Sequence, residues 1–276
     1  MVKRGLIMSL IKKLLVEPGK KARLGDWDPN ETGKYENKEL AAPIMGKLGD
    51  RIADLQYLLF AENKRAMLIV LQAMDAGGKD GTIRTVMGPM NPQSCKVTSF
   101  KGPTDEELAH DFLWRVHRFV PRKGEVRIFN RSHYEDVLIV RVHNFVPKDI
   151  WSKRFDQINN FERLLVESNI HVVKFFLHIS KDEQKKRFKE RLEDPTKHWK
   201  AEPADFEERK YWDESTEAYE DVLTKCSTDY APWYVIPANH KWFRNLAISE
   251  ILVHEFEKMK MKFPEPRYDI SKLKIK

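Results

Sequence analysis

Gly77, Gly78 and Gly81 surround a single lysine, Lys79, directly after the apolar run Met67-Leu68-Ile69-Val70-Leu71. A short, continuous run of branched aliphatics is the pattern of a strand buried on both faces. A glycine-rich turn after such a strand lets the main chain approach an anion closely. Ala76, Gly77, Gly78, Asp80, Gly81 and Thr82 would then present backbone N–H groups to phosphate oxygens at a helix start, with Lys79 adding a mobile positive charge. The loop departs from the standard pattern twice. Ala73 stands where the first glycine belongs, and Asp80 where a serine or threonine would bind magnesium. Asp75 and Asp80 would repel a polyanion unless a cation lay between them, and magnesium is commonly held by one or two carboxylates plus substrate phosphates. A plain surface turn between strand and helix would use the same glycines.

A second polar cluster, Asn130-Arg131-Ser132-His133-Tyr134-Glu135-Asp136, follows another apolar run. Arg131 can fork two donors onto phosphate oxygens. Asn130 offers a carbonyl oxygen to a magnesium shell, and Glu135 or Asp136 could hold a metal or its waters. Capping of the next helix by Asn130, Ser132 and Asp136 would explain the same residues. His133 reads as a packing residue rather than a general base, because phosphoryl transfer depends on positioning and charge stabilisation. A third segment, from Lys181 to Lys200, is strongly basic. Arg187 and Arg191 lie four residues apart on one helix face, which suits a lid that closes positive charge over phosphate. Pairing with Glu183 and Glu190 would make it an ordinary solvated helix. Arg115, Arg118, Arg122 and Lys123 could extend a cationic track toward a long anion.

These clusters need a scaffold that brings them together. Strand patterns at Lys96 to Phe100, Glu125 to Phe129, His171 to Ile179 and Trp233 to Pro237 alternate with helical patterns. The helices are expected at Ile44 to Phe60, Thr104 to Phe119, Pro147 to Ser168, Lys181 to Glu193, Phe206 to Lys225 and Lys241 to Met261. Alternation predicts an α/β fold with a parallel sheet covered on both faces, and in such sheets ligands bind at the carboxyl ends of the strands. Thr104 with Glu107 reads as a capping box, and Pro147 as a first helical position. Residues 1–42 read as a short helix and an irregular arm, 43–263 as the compact domain with a lid at about 181–215, and 264–276 as a mobile or wrapping tail.

The 276 residues suffice for one domain with a sizeable core. Apolar content of 41% with 33% charged residues describes a soluble globular protein, and no apolar run approaches the roughly 20 residues that cross a bilayer. The start, with Lys3, Arg4, Lys12 and Lys13 beside apolar residues, reads as an exposed amphipathic helix that packs on a neighbouring subunit in a dimer or tetramer, not as a secretory signal. Cys95 and Cys226 alone exclude a disulfide framework and fit a reducing cytoplasm. The net charge of +7 points to an anionic partner. Basic residues interspersed with acidic ones, without a recognised binding pattern, argue against nucleic acid.

The segments Gln72 to Gly81, Phe129 to Asp136 and Ser227 to Tyr234, in this order and spacing with a basic lid between the last two, resemble the family-2 polyphosphate kinases from about Trp27 to Glu257. The resemblance implies a thymidylate-kinase-like phosphate-loop fold with a helical lid. It implies transfer of the terminal phosphoryl group of inorganic polyphosphate to a nucleotide, with magnesium, or manganese in its place. Many family members carry an aspartate where this chain has Asn130 and a Trp-Tyr-Asn run where it has His133-Tyr134-Glu135; the form found here resembles the class III subgroup, which implies AMP and ADP as acceptors, giving ADP and ATP. By the same resemblance Asp75, Lys79, Arg131, Glu135, Asp136, Arg187 and Arg191 line the active site, with Asp75 and Asp136 toward the metal. An ATP-dependent nucleotide or metabolite kinase on the same fold is the rival reading.

Overall fold

A computed structural model describes residues 4–275; Lys3 of the basic start and Lys276 of the tail lie outside the described residues. Five parallel strands form one sheet: β1 (Ala66–Ala73), β2 (Cys95–Ser99), β3 (Val126–Asn130), β4 (Ile170–His178) and β5 (Trp233–Pro237), in the order β2-β3-β1-β4-β5. β1 is central and all eight of its residues are buried. Its side chains alternate between two cores, as strand geometry requires. Met67, Ile69 and Leu71 meet the helices Lys38–Glu62 and Lys241–Lys258, while Leu68 and Val70 meet the helices Arg154–Glu167 and Trp212–Cys226 on the other face.

Every expected strand is present to within a few residues, and the lid helix Lys181–Glu193 begins at Ser180, whose side chain accepts from Glu183 N. Four helical expectations need correction. The helix expected from Ile44 begins at Lys38, because the Asn37 side chain caps it through Leu40 N, and Pro43 is accommodated inside. The helix expected over Thr104 to Phe119 is two separate turns, Asp105–Leu108 and Trp114–His117. The Thr104–Glu107 capping box forms, but Asp111 Oδ1 accepts from Leu113 and Trp114 N, a local alternative that competes with helix continuation. Pro147 caps the turn Lys148–Trp151 instead of occupying its first position, and the helix restarts at Arg154. The first helix, Arg4–Leu14, is not an exposed arm: Leu10, Ile11 and Leu14 are buried in the core against the Lys241–Lys258 helix.

Beneath the second motif lies a fully buried polar network. Lys174, in the middle of β4, donates to Glu162, to the Tyr134 hydroxyl at 2.9 Å and to the Cys226 carbonyl at 2.7 Å. Tyr134 donates to Glu162 Oε1 at 2.9 Å, and His133 Nε2 lies 3.2 Å from the same oxygen. Burial pushes the Glu162 carboxyl up, but Lys174 and His133 outweigh it and hold the group below the ordinary range. Burial likewise depresses His133, which is wholly enclosed and packs edge-on to Phe161. This is the packing role expected of it. Removing one partner of a buried pair leaves an uncompensated charge, so Lys174→Ala is expected to lower unfolding free energy by about 3–5 kcal/mol. Urea denaturation checks this; a loss under 1 kcal/mol, about the worth of an exposed pair, would show that the network is not structural.

Candidate active site

The parallel register decides where the two motifs meet. Leu71 of β1 pairs with Asn130 of β3, so Arg131 emerges beside the last residues of β1 just as the chain turns into the loop. Its N–H donates to Leu71 O at 3.2 Å and holds Arg131 at φ 60°. Ala76 in the loop is also left-handed, at φ 59°. Non-glycine residues rarely adopt this region, and here they flank the site on both sides. Gly77 is needed for space, since a Cβ would meet Ala73 Cβ at 2.5 Å and Met74 O at 2.8 Å. Gly78 is needed for conformation and space, with φ 104° and a virtual Cβ 2.0 Å from Arg244 Nη1.

The helix after the loop is shorter than the phosphate-loop pattern implies. Lys79–Thr82 is a single turn that widens into a π turn over Ile83–Met87, so its dipole is small. Side chains supply the positive field instead. Lys79 folds back to donate to Ala73 O at 3.1 Å. Burial pulls its ammonium below the ordinary lysine value, with Asp75, Glu135 and Asp80 opposing and Arg131 adding to the effect. Arg187, 5% exposed, is a clamp and not a mobile lid residue. It donates to the carbonyls of Ala76 at 3.0 Å, Gly77 at 3.1 Å and Ala238 at 2.6 Å, and pairs with Glu183 at 2.7 Å. Arg191 works within the lid, pairing with Asp205 at 2.9 Å.

Two cavities open here. A recess of about 80 Å3 is lined by Ala73, Met74, Asp75, Arg131, Glu135, Leu138, Ile139, Val142, Gln184, Glu208, Trp212, Ser215, Ala218 and Tyr219. A broader channel of about 610 Å3 runs over the loop from Asp75 to Gly81 and past Asn130, with nine basic against five acidic side chains. Asp75 and Arg131, paired at 3.2 Å, are the residues common to both linings. Glu135 lines the recess; burial raises its carboxyl, with Arg131 and Lys79 pulling it back. Asp80 Oδ1 accepts from Asn130 Nδ2 and Oδ2 pairs with Lys200 Nζ, each at 3.0 Å. Burial pushes Asp80 up, but these partners hold it below the ordinary range.

Four expected residues lie outside both linings. Asp136 is paired with Arg154 at 2.9 Å and raised to about 6 by burial. Thr82 is fully buried with its hydroxyl unpartnered. The Arg118 guanidinium sits over the Trp114 ring, 5.0 Å from its centroid. Arg122 pairs with Glu125 at 3.0 Å just before β3, the end of the sheet away from the loop. Conversely, sequence reasoning missed Lys241, Arg244 and most of the recess wall, and named Lys200 only within the basic lid segment. Arg244 follows β5 at the carboxyl edge, so the sheet rule applied to that strand points to it. It is 3% exposed, its Nη2 donates to Asn245 Oδ1 at 2.8 Å, and it has no carboxylate partner among the described residues. Burial and the neighbouring Arg187 pull it down to about 10.

Phosphoryl transfer between polyanions generally uses a divalent cation. Among the described residues no three His, Cys, Asp or Glu side chains form a metal-binding group; magnesium is commonly held by one or two carboxylates together with substrate phosphates and water. Asp75, at the junction, fits that role; Asp136, occupied by Arg154, does not.

A parallel sheet, a phosphate loop after its central strand, a cationic channel and a helical lid define a phosphate-loop kinase. Residues 35–264 match the family Polyphosphate kinase 2 (PPK2), and the chain belongs to that family. An AMP/ADP-polyphosphate phosphotransferase of Meiothermus ruber is 51% identical over 266 residues, covering 96% of this chain and 100% of that protein. An ADP-polyphosphate phosphotransferase of Rhodopseudomonas palustris is 46% identical, covering 92% of each chain. The crystal structure of polyphosphate kinase 2 from Arthrobacter aurescens superposes with a TM-score of 0.90 at 42% identity, covering 93% of this chain and 92% of that one.

Arg244 and Arg187 carry like charges side by side. Arg244→Met is therefore expected to leave thermal stability equal or higher while weakening inorganic polyphosphate binding about tenfold or more, given what a charge-assisted hydrogen bond contributes. Melting curves and a binding titration check both; unchanged affinity would exclude Arg244 from the phosphate path.

Proposed function

We propose that the protein transfers the terminal phosphoryl group of inorganic polyphosphate to AMP and to ADP, giving ADP and ATP. The observation that carries this reading is the meeting of two unlike cavities at one ion pair, Asp75–Arg131. The channel is long, open and cationic, suited to a linear polyanion. The recess combines apolar and aromatic walls with a charged end, suited to a nucleoside with its phosphate toward the junction. The AMP/ADP assignment is supported by Asn130 and His133-Tyr134-Glu135 in the second motif, and by the name of the Meiothermus ruber relative.

In this reading Lys79 and the loop amides bind the transferring phosphate. Arg131, bridging both cavities, neutralises charge as it moves from donor to acceptor. Arg187 holds the loop carbonyls so that the amides keep their direction, and Arg191 keeps the lid segment folded over the channel. The acceptor is already a phosphate oxygen, so no strong base is required. Asp75 would hold magnesium, or manganese, together with the phosphates; the ion would offset charge on the oxygens between donor and acceptor. Two unpaired cysteines and nucleotide substrates support a cytoplasmic location. Exposed Tyr57 and Phe263, paired with ring centroids 6.2 Å apart, support self-association as a dimer or tetramer.

The test incubates the protein with magnesium, polyphosphate and AMP or ADP, and separates the nucleotides. ADP and ATP should appear from AMP, and none without polyphosphate. Products only when ATP is supplied as donor would replace this reading with an ATP-dependent kinase. Lys79→Ala should reduce kcat by about a hundredfold or more, the scale for removing one donor to developing charge; near-normal turnover would remove Lys79 from the mechanism. Raising salt should raise the KM for long polyphosphate more than that for AMP, because the channel attraction is screened. Equal effects on both would count against the cationic channel as the donor path.

A further inference from the structure

The helix Lys181–Glu193 grips the phosphate loop with two side chains one turn apart. Arg187 holds the carbonyls of Ala76 and Gly77. Gln184, three residues earlier and so on the same face, holds the carbonyl before them: its Nε2 donates to Asp75 O at 2.9 Å. The other end of the amide is also occupied. Gln184 Oε1 accepts from Arg209 Nη1 at 2.7 Å, and the same nitrogen donates to Lys181 O at 3.0 Å, at the start of the helix. A peptide carbonyl only accepts and a guanidinium only donates, so the amide has a single possible orientation. Gln184 is 3% exposed and lines the recess together with Asp75.

These contacts form one line of hydrogen bonds from the lid to the junction. Arg209 opens the turn Arg209–Tyr211, which joins the helix Pro203–Glu208 to the helix Trp212–Cys226. Its charge polarises the amide, which strengthens the bond at the Asp75 end, as hydrogen bonds in a chain do. The peptide that Gln184 holds lies between Asp75 and Ala76, where the chain turns left-handed at φ 59°. Rotation of that peptide would turn the Ala76 N–H and loosen the backbone from which Asp75 projects. We propose that Gln184 is a positioning residue for the transfer, fixing the Asp75–Ala76 peptide at the junction and tying it through Arg209 to the lid. The inference rests on the transfer reading given above and adds a residue that acts through Asp75 without a charge of its own.

The test compares Gln184→Met, Arg209→Met and the double variant in the full chain. Methionine keeps an unbranched chain of similar length and removes the hydrogen bonds. With AMP and long polyphosphate, well below each melting temperature, Gln184→Met should lower kcat about tenfold, the scale of a hydrogen bond in a charge-assisted line. The KM for polyphosphate should stay within about twofold, since the channel cations are untouched. Arg209→Met should act in the same direction, and the double variant should be no slower than Gln184→Met alone, because both changes break one line. Without substrates, hydrogen–deuterium exchange over residues 75–79 should be faster in all three. An unchanged kcat or an unchanged exchange rate in Gln184→Met overturns the proposal, the first being what a purely structural role would give. Losses that add in the double variant, or a raised KM for polyphosphate at unchanged kcat, overturn it as well. If the natural protein makes no product from polyphosphate, the donor reading fails alone, and the exchange comparison still decides this proposal.

Discussion

Positive charge is packed around Gly78 more tightly than the protein's own carboxylates neutralise, and much of the architecture serves to keep it there. Arg244 and Arg187 both approach that glycine, Lys79 folds over the start of the same loop, and Arg131 faces it from β3. Like charges in a partly desolvated site repel strongly unless fixed by groups that cannot move away. The fixing groups are main-chain carbonyls: those of Ala76, Gly77, Ala238 and Asn239 for Arg187, and that of Ala73 for Lys79. Carbonyl dipoles satisfy the donors without cancelling the charge. The field is left available to a polyanion, and binding relieves a repulsion as well as forming new hydrogen bonds.

Arg131 shows how strand register becomes chemistry. A one-residue slip of β3 against β1 would turn its side chains to the other face and carry Arg131 off the junction. The register is secured from below by the Lys174 network, which ties Tyr134 and His133 of the second motif to β4 and to the helix carrying Glu162. The left-handed conformation of Arg131 costs on the order of 1–3 kcal/mol. It persists because Leu71 O on one side and the buried Tyr134 on the other leave the chain no alternative path.

The fold was legible in the sequence because each strand is a short β-branched or aromatic run bounded by turn residues, and the sheet rule then put both glycine loop and second motif on one edge. What was not legible depended on contacts distant in sequence. Arg122 looked like part of a cationic track, yet it precedes β3 and so falls at the wrong end of a parallel strand. Asp136 looked equivalent to Glu135, but the turn beginning at Ser132 directs one toward the recess and the other toward Arg154. Arg187 and Arg191 share a helix face as expected, while only the packing of β5 shows that Arg187 is enclosed between loop and strand end. Arg244 carries no local motif and is found only from the position of its helix at the edge of the sheet.

Asp80 explains why the loop can depart from the usual pattern. A hydroxyl at that position would face a metal; the carboxylate accepts from Asn130 on the second motif and pairs with Lys200 on the lid. It ties three segments that come together only in the folded chain, and it spends its charge on them. Little remains for a metal, so in the proposed reading the carboxylate for an ion would be Asp75, which already pairs with Arg131. An ion held by one carboxylate binds weakly without its polyphosphate or nucleotide. Metal and phosphate would then arrive together, and the full constellation would assemble only when donor and acceptor are both in place.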